Sequence, residues 1–256
     1  MIVKFCMELK CKPFHGIVKG KRNYLRLMVE IEFFEARDLP DAWFQCVYRI
    51  LDSGHVYQID KGSFQGQRRR EFDFVVVQVR YPGTRPLIPD IPPGLGIPAP
   101  TTTEYVDQYM RYWITDEREK GETYTYGERL TNPKINEVPL GINPIEEVIH
   151  MYKTAGPGTN QAIMEVGMPQ DIVNPDPPCL RLIDTRVRYG KLHFVIYFRS
   201  WDLWAGFPAN LAGIQLLKEY MAQQIGVEDG EIIAVSKGLH LYEYTWDLAK
   251  LRTYRS

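Results

Sequence analysis

Cys179 ends the tetrapeptide Asp176-Pro177-Pro178-Cys179, and Arg199, Ser200 and Asp202 follow in the run Arg-Ser-Trp-Asp-Leu-Trp. Gly206 opens Gly-Phe-Pro-Ala-Asn, which closes on Asn210, and His240 and Tyr242 stand farther on in Leu-His-Leu-Tyr. A thiol, a guanidinium, a carboxylate, an amide, an imidazole and a phenol thus share one ordered, otherwise apolar stretch. Together they can make a nucleophile and hold an anionic, hydrogen-bonding substrate.

The thiolate is the reactive form of cysteine, and a neighbouring positive charge favours it. Arg199 is placed to supply that charge. Residues 180–187 and 192–198 read as two strands joined at Tyr189-Gly190-Lys191, which sets Cys179 and Arg199 near each other across a ladder. Taken alone, the pair fits a buried structural cysteine beside a surface arginine better than a reactive site. The following loop adds weight, because Ser200 and Asp202 lie among Trp201, Leu203 and Trp204, where a polar group needs a partner. Ser200 suits a phosphate and Asp202 a donor-rich heterocycle. Asn210 reads either as a helix N-cap or as an amide able to pair with a pyrimidine edge. His240 and Tyr242 share parity on an extended segment and face one side.

Arg68, Arg69 and Arg70 follow a glycine-containing turn, and either clamp a phosphate or form a solvated charge run. None of the five histidines sits at metal-ligand spacing from another, and no metal is expected. No GxxxxGK[ST] or GxGxxG phosphate loop occurs.

The elements that must position these groups fit into one domain. With 256 residues, 45% of them hydrophobic, the chain can bury a sizeable core. Its net charge of -1 gives no long-range pull towards nucleic acid or anionic membrane, so neither partner is expected. The N-terminus lacks a signal-peptide apolar region, and no apolar run reaches the ~18 residues of a membrane span. Cys6, Cys11 and Cys46 read as reduced bystanders, and the expected location is cytoplasmic. Residues 1–35 read as extended. A helix is expected over 42–51, a strand over 71–81, and a proline-dense loop packed on the core over 82–100. Next come a helix over 103–114, a loop over 124–129 and a helix starting at Asn143-Pro144. Then follow strands over 162–166, 180–187 and 192–198, a helix from Asn210 to Gly226, and a strand over 232–236 that delivers His240 and Tyr242. The class is α+β.

Pro-Pro-Cys179, the step to Arg199-Ser200-x-Asp202, Gly206-x-Pro208-x-Asn210 and His240-x-Tyr242 together resemble the thymidylate synthase family, which also includes pyrimidine nucleotide hydroxymethylases. The resemblance runs from about residue 143 to 249, is weaker over 39–130, and is closest to the archaeal branch. It implies a large mixed sheet flanked by helices over residues 36–256, an extension of β character over 1–35, and a homodimer with sheets packed face to face. It implies further that Cys179 adds to C6 of the uracil of dUMP, that Arg199 and Ser200 hold the 5′-phosphate, and that Asn210 pairs with N3 and O4. His240 and Tyr242 would hold the 3′-hydroxyl, Asp202 with Gly206 the pterin, and Tyr126 would assist proton removal at C5. Methylene-tetrahydrofolate or methylene-tetrahydromethanopterin would be the cosubstrate.

The chain also departs from the family pattern. Phe198 stands where the family has Gln, Leu180 where it has His, Lys237-Gly238 where it has Gly-Asp, and Tyr244 where it has Asn. Thr159-Asn160 replace the arginines that reach the partner's phosphate, leaving Arg69 or its neighbours to compensate. Glu104 is the candidate for the proton-organising glutamate. Two other readings stay open: a dCMP or CMP hydroxymethylase, and a non-catalytic nucleotide- or RNA-binding homologue. Asn210 favours uracil, because cytosine-preferring members carry Asp there.

Overall fold

Two β-sheets meet in this protein, and the seam between them is made by strands that leave one sheet and enter the other. The computed structural model describes residues 28–61, 64–92 and 94–255; the extended segments expected over 1–27 lie outside them. In chain order the first elements are β1 (Ile31–Ala36), α1 (Leu39–Ser53), β2 (His55–Gln58), β3 (Arg68–Glu71) and β4 (Phe74–Val79). After the proline-dense loop come α2 (Thr103–Tyr109), α3 (Arg111–Ile114), α4 (Tyr126–Thr131), β5 (Lys134–Ile135), β6 (Val138–Pro139) and α5 (Pro144–Ala155). The rest is β7 (Ile163–Glu165), β8 (Leu180–Arg188), β9 (Lys191–Phe198), β10 (Trp201–Asp202), α6 (Gly206–Ile225), β11 (Glu228–Ser236), β12 (Leu239–Tyr242) and α7 (Trp246–Arg252).

The larger sheet is mixed, in the order β1-β4-β11-β9-β8-β7. Strand β1 runs parallel to β4 across the boundary drawn at residue 35, so the chain from Ile31 onward belongs to this sheet. Alternate residues of each strand face a helical layer. Leu192, Phe194, Ile196 and Phe198 of β9 are fully buried, as are Ile232 and Ala234 of β11 and Val75, Val77 and Val79 of β4. They meet Leu211, Ile214, Leu217 and Met221 of α6 and Trp43, Val47 and Ile50 of α1. Each such Val, Leu, Ile, Phe or Met side chain contributes about 1.5–3 kcal/mol of burial energy. On the opposite face Val76, Val195, Tyr197, Ile233 and Val235 are half-buried, and Phe33 and Ile163 are exposed.

Local chemistry explains most element ends. Asp38 accepts the Asp41 N–H at 2.9 Å to start α1, Asn143 accepts that of Glu146 at 3.2 Å to start α5, and Gly226 ends α6 at φ 85. Four expectations change. The 103–114 helix breaks at Met110. The stretch 124–129 is not all loop, because Thr125 accepts the Glu128 N–H at 3.0 Å and α4 begins at Tyr126. The 71–81 strand divides, since β3 pairs in the smaller sheet and only β4 in the larger. Helix α6 starts four residues before Asn210, because a proline in the first turn loses no hydrogen bond and Pro208 extends the helix rather than stopping it. The proline-dense loop does pack on the core, through Leu87, Ile91 and Leu95. Among the described residues no helix is long and apolar enough to cross a membrane.

The hairpin between β8 and β9 sets the site's geometry. Tyr189 and Gly190 have φ of 53 and 72, the two-residue turn that matches strand twist. Counting back, Arg188 pairs with Lys191 and Leu182 with Tyr197, but a bulge at Arg181 then slips the register so that Leu180 pairs with Phe198. That slip sets Cys179 opposite Arg199, whose N–H donates to the Cys179 carbonyl at 2.8 Å.

Gly127 positions Tyr126. A Cβ there would lie 2.2 Å from the Thr115 carbonyl oxygen and 2.6 Å from that of Tyr112, both backbone atoms that side-chain repacking cannot relieve. Gly127→Ala is therefore expected to destabilise the protein by about 1–3 kcal/mol in denaturant unfolding, despite alanine's ~1 kcal/mol helix advantage.

Candidate active site

Cys179 emerges half-buried from the Pro177-Pro178 arm at the start of β8. The guanidinium of Arg199 folds back on that arm: Nε donates to the Pro178 carbonyl at 3.1 Å, Nη2 donates to that of Pro177, and Nη2 lies 3.6 Å from Asp176. The expected electrostatic pairing is present, but it does not win. Burial pushes the Cys179 thiol up, the Arg199 charge lowers it by less, and the net shift is upward. Burial therefore works against the anion that the sequence suggested, and Arg199 works for it. Arg181, on the bulge, also favours the thiolate, and it leans on the buried carboxylate of Asp171, which Arg129 holds at 3.0 Å.

Tyr126 reaches the same point from α4. Its hydroxyl accepts the Leu180 N–H at 3.3 Å, one residue beyond the thiol. Burial pushes this phenol well above its ordinary range, with smaller contributions from Tyr109 and Cys179. Tyr109 and Tyr124 shift the same way for the same first reason, with a smaller upward contribution from Cys179 in both. These phenols line a cleft of about 830 Å³ together with Tyr105, Tyr112 and Asp176. A flat aromatic ligand fits such walls.

Asn210 lies inside α6 and caps nothing. Its Oδ1 accepts from Trp201 Nε1 at 3.0 Å and its Nδ2 donates to the Tyr109 hydroxyl at 2.9 Å, which leaves one lone pair and one N–H. Asp202 performs the capping instead, with Oδ2 accepting the Ala205 and Gly206 N–H groups at 3.0 Å each and Oδ1 that of Trp204 at 3.2 Å. Asp202 and Gly206 are thus joined at the start of α6, beside Asn210. Ser200 is half-buried between β9 and β10, where Gly238 passes close to the Arg199-Ser200 backbone.

The smaller sheet, ordered β10-β12-β3-β2, carries the remaining groups. His240 pairs in register with Asp202 on one side and Glu71 on the other, and Tyr242 with Arg69. His240 is 2% exposed, its Nδ1 hydrogen-bonds the Gly238 carbonyl at 2.8 Å, and its Nε2 is buried without a partner. Burial lowers its pKa to about 4, so the ring is neutral near pH 7. Tyr242, pushed up to about 12 chiefly by burial, packs against Phe64 at 4.4 Å. Strand alternation separates the three arginines. Arg69 shares the face of His240 and Tyr242, with Nε 2.8 Å from Glu71, whereas Arg68 pairs with Glu243 and Arg70 donates to the Leu51 carbonyl at 2.7 Å. Glu104 is exposed on α2 beside Tyr105, which lines the cleft, but is not itself one of the lining residues. Among the described residues no group of three or more His, Cys, Asp or Glu could hold a metal ion.

Sequence reasoning missed Trp201, Tyr109, Tyr124 and Arg181. The aromatic density over residues 105–126 was the available signal for two of them; nothing local marked the others.

The thiol balance is directly measurable. Alkylation of Cys179 by iodoacetamide, followed by peptide mass spectrometry, is expected to titrate above the ~8.5 of a free thiol. Arg199→Met should move the midpoint further up. A midpoint below that of a free thiol would contradict this account.

The family model described as thymidylate synthase matches residues 101–256. A protein of Methanosarcina acetivorans named "Putative thymidylate synthase" is 31% identical over 215 residues, covering 84% of this chain and 91% of that relative. One of the same name from Methanothermobacter thermautotrophicus is 27% identical over 223 residues, covering 84% and 96%. A thymidylate synthase of Listeria monocytogenes is 37% identical over 102 residues, which cover 40% of this chain and 32% of that protein. With a family match over more than half its length and a relative this similar across most of it, the chain belongs to the thymidylate synthase family.

Proposed function

We propose that this protein converts dUMP to dTMP by reductive methylation, through a covalent bond between Cys179 Sγ and C6 of the base. The observation that carries the reading is the convergence of the Cys179 thiol, the Arg199 guanidinium, the Tyr126 hydroxyl and the half-engaged Asn210 amide beside one aromatic cleft. A burial-raised thiol needs help to ionise, and the Arg199 guanidinium is the neighbouring charge that favours the thiolate. The thiolate then adds to C6 and turns C5 into a carbon nucleophile.

Asn210 offers its free N–H to O4 and its free lone pair to N3–H, which stabilises the charge that develops on the ring. Arg199 and Ser200, joined by Arg69, receive the 5′-phosphate. His240, neutral and with Nε2 unpaired, accepts from the 3′-hydroxyl beside Tyr242. Tyr126, held on the Leu180 N–H, serves the proton leaving C5. A methylene-tetrahydropterin of the folate or methanopterin type supplies the one-carbon unit and the hydride. Tyr105, Tyr109 and Tyr124 would flank its rings, with Asp202 and Gly206 at the edge. The half-buried sheet face bearing Val195, Tyr197, Ile233 and Val235 is the surface on which a second copy would pack.

Incubation with dUMP and each methylene-pterin is expected to yield dTMP and the dihydropterin. Cys179→Ser should bind dUMP and lose turnover by at least ~10³-fold. A tetrahydropterin product with a cytidine nucleotide would instead identify a hydroxymethylase, and unchanged turnover in Cys179→Ser would remove the nucleophile.

Light scattering should give the mass of two chains. Ile233→Asp, at the register partner of Val195, should give the mass of one chain.

A further inference from the structure

We infer that Trp201 sets the nucleobase choice of this site by fixing which end of the Asn210 amide faces which edge of the base. The inference rests on reading the site as a pyrimidine-nucleotide site, and it concerns a residue that acts through another, not one that touches the reacting atoms. The indole is 2% exposed and clamped between two rings: Phe198 stacks on it at 4.1 Å and 4°, and Phe207 lies at 4.4 Å and 33°. Its own N–H in the backbone donates to the Gly238 carbonyl at 2.9 Å. Neither the ring nor the strand beneath it has room to turn.

An indole nitrogen only donates. At 3.0 Å from Asn210 it therefore requires an oxygen there, which makes that atom Oδ1 whatever the base bound. The partner on the other end imposes no such rule. A tyrosine hydroxyl both donates and accepts, so Tyr109, 2.9 Å from Nδ2, would serve either orientation of the amide. Turning the amide over would leave Tyr109 satisfied and would set two N–H groups face to face at Trp201, in a dry place where an unmade hydrogen bond is costly.

With Oδ1 and Nδ2 so assigned, the amide keeps one acceptor and one donor for the substrate, each at a fixed end. Uracil presents a donor at N3 and an acceptor at O4; cytosine presents an acceptor at N3 and a donor at N4. Only one of the two edges matches a given amide orientation, and an amide free to turn would match both. Specificity then comes from the orientation that Trp201 forbids as much as from the contact that Asn210 makes. The bland reading is that Asn210 merely satisfies a buried indole N–H. That role predicts a stability loss on removing the N–H, with no change in base preference.

Isothermal titration of dUMP and dCMP into the native chain, Trp201→Phe and Tyr109→Phe separates these readings. Phenylalanine keeps a ring in the stack and removes only the donor. The native chain is expected to prefer dUMP, and Trp201→Phe to narrow the dUMP-to-dCMP affinity ratio by about tenfold or more, the scale of one buried hydrogen bond. Tyr109→Phe should weaken dUMP binding without narrowing the ratio. A folded Trp201→Phe protein that keeps the native ratio overturns the inference, as does equal narrowing in both variants. Binding of neither nucleotide by the native chain would defeat the pyrimidine reading itself, whereas dUMP methylation with an unaltered ratio would defeat only the lock. Should Trp201→Phe fail to fold, hydrogen exchange of the Trp201 indole N–H in the native protein gives the answer. Protection kept in the dUMP complex supports the lock; exchange as fast as that of a free indole overturns it.

Discussion

The pairing of Cys179 with Arg199 across β8 and β9 is the constraint on which the site depends. It is the product of two backbone features, a two-residue turn that starts the ladder and a bulge at Arg181 that shifts it by one residue. Without the bulge, Arg199 would oppose Leu180, and the guanidinium could not lie along the carbonyls of Pro177 and Pro178 as it does. The same slip leaves the Leu180 N–H free of the ladder to donate to Tyr126. Nucleophile, guanidinium and phenol are therefore placed by a single irregularity in an otherwise regular hairpin, in line with the tendency of bulges to occur beside active sites.

Around that point the protein keeps its groups neutral. Burial raises the thiol and the phenols and lowers the imidazole, and in each case it is the largest cause of the shift. Arg199 opposes burial at the thiol without overcoming it. In such a site Arg199 and Arg181 are the resident charges that favour the reactive anion, against the burial that disfavours it. The half-engaged partners fit the same picture: Nε2 of His240 has none, and Asn210 uses one bond at each end of its amide.

Both strands that build the seam, β9 and β11, run parallel and pass into the smaller sheet side by side, as β10 and β12. This crossing brings Asp202 beside His240 and Trp201 beside Leu239, although the two segments lie far apart in sequence. Asp202, bound to three backbone N–H groups, then launches α6 and carries Asn210 up to the indole of Trp201. The larger sheet buries one face under helices and holds the seam rigid from behind.

The sequence by itself determined much of this. Apolar runs rich in β-branched and aromatic residues marked β8, β9 and β11, the Asn143-Pro144 start marked α5, and the spacing of Cys179, Arg199, Asn210, His240 and Tyr242 marked the family. These signals are local, carried by strand parity, capping chemistry and short motifs. What the tertiary structure decided depends on contacts between distant residues. The bulge at Arg181 is invisible in a run that reads as a plain strand, and so is the crossing that divides β3 from β4. The start of α6 was misplaced because Gly206 and Pro208 read as loop residues until Asp202 is seen to bind the first N–H groups. The balance at the Cys179 thiol is decided by tertiary structure, because a guanidinium is legible in sequence and the depth of burial is not. Trp201 likewise looked like one more apolar residue of a loop; its meaning as a donor exists only where Asn210 and two phenylalanine rings surround it.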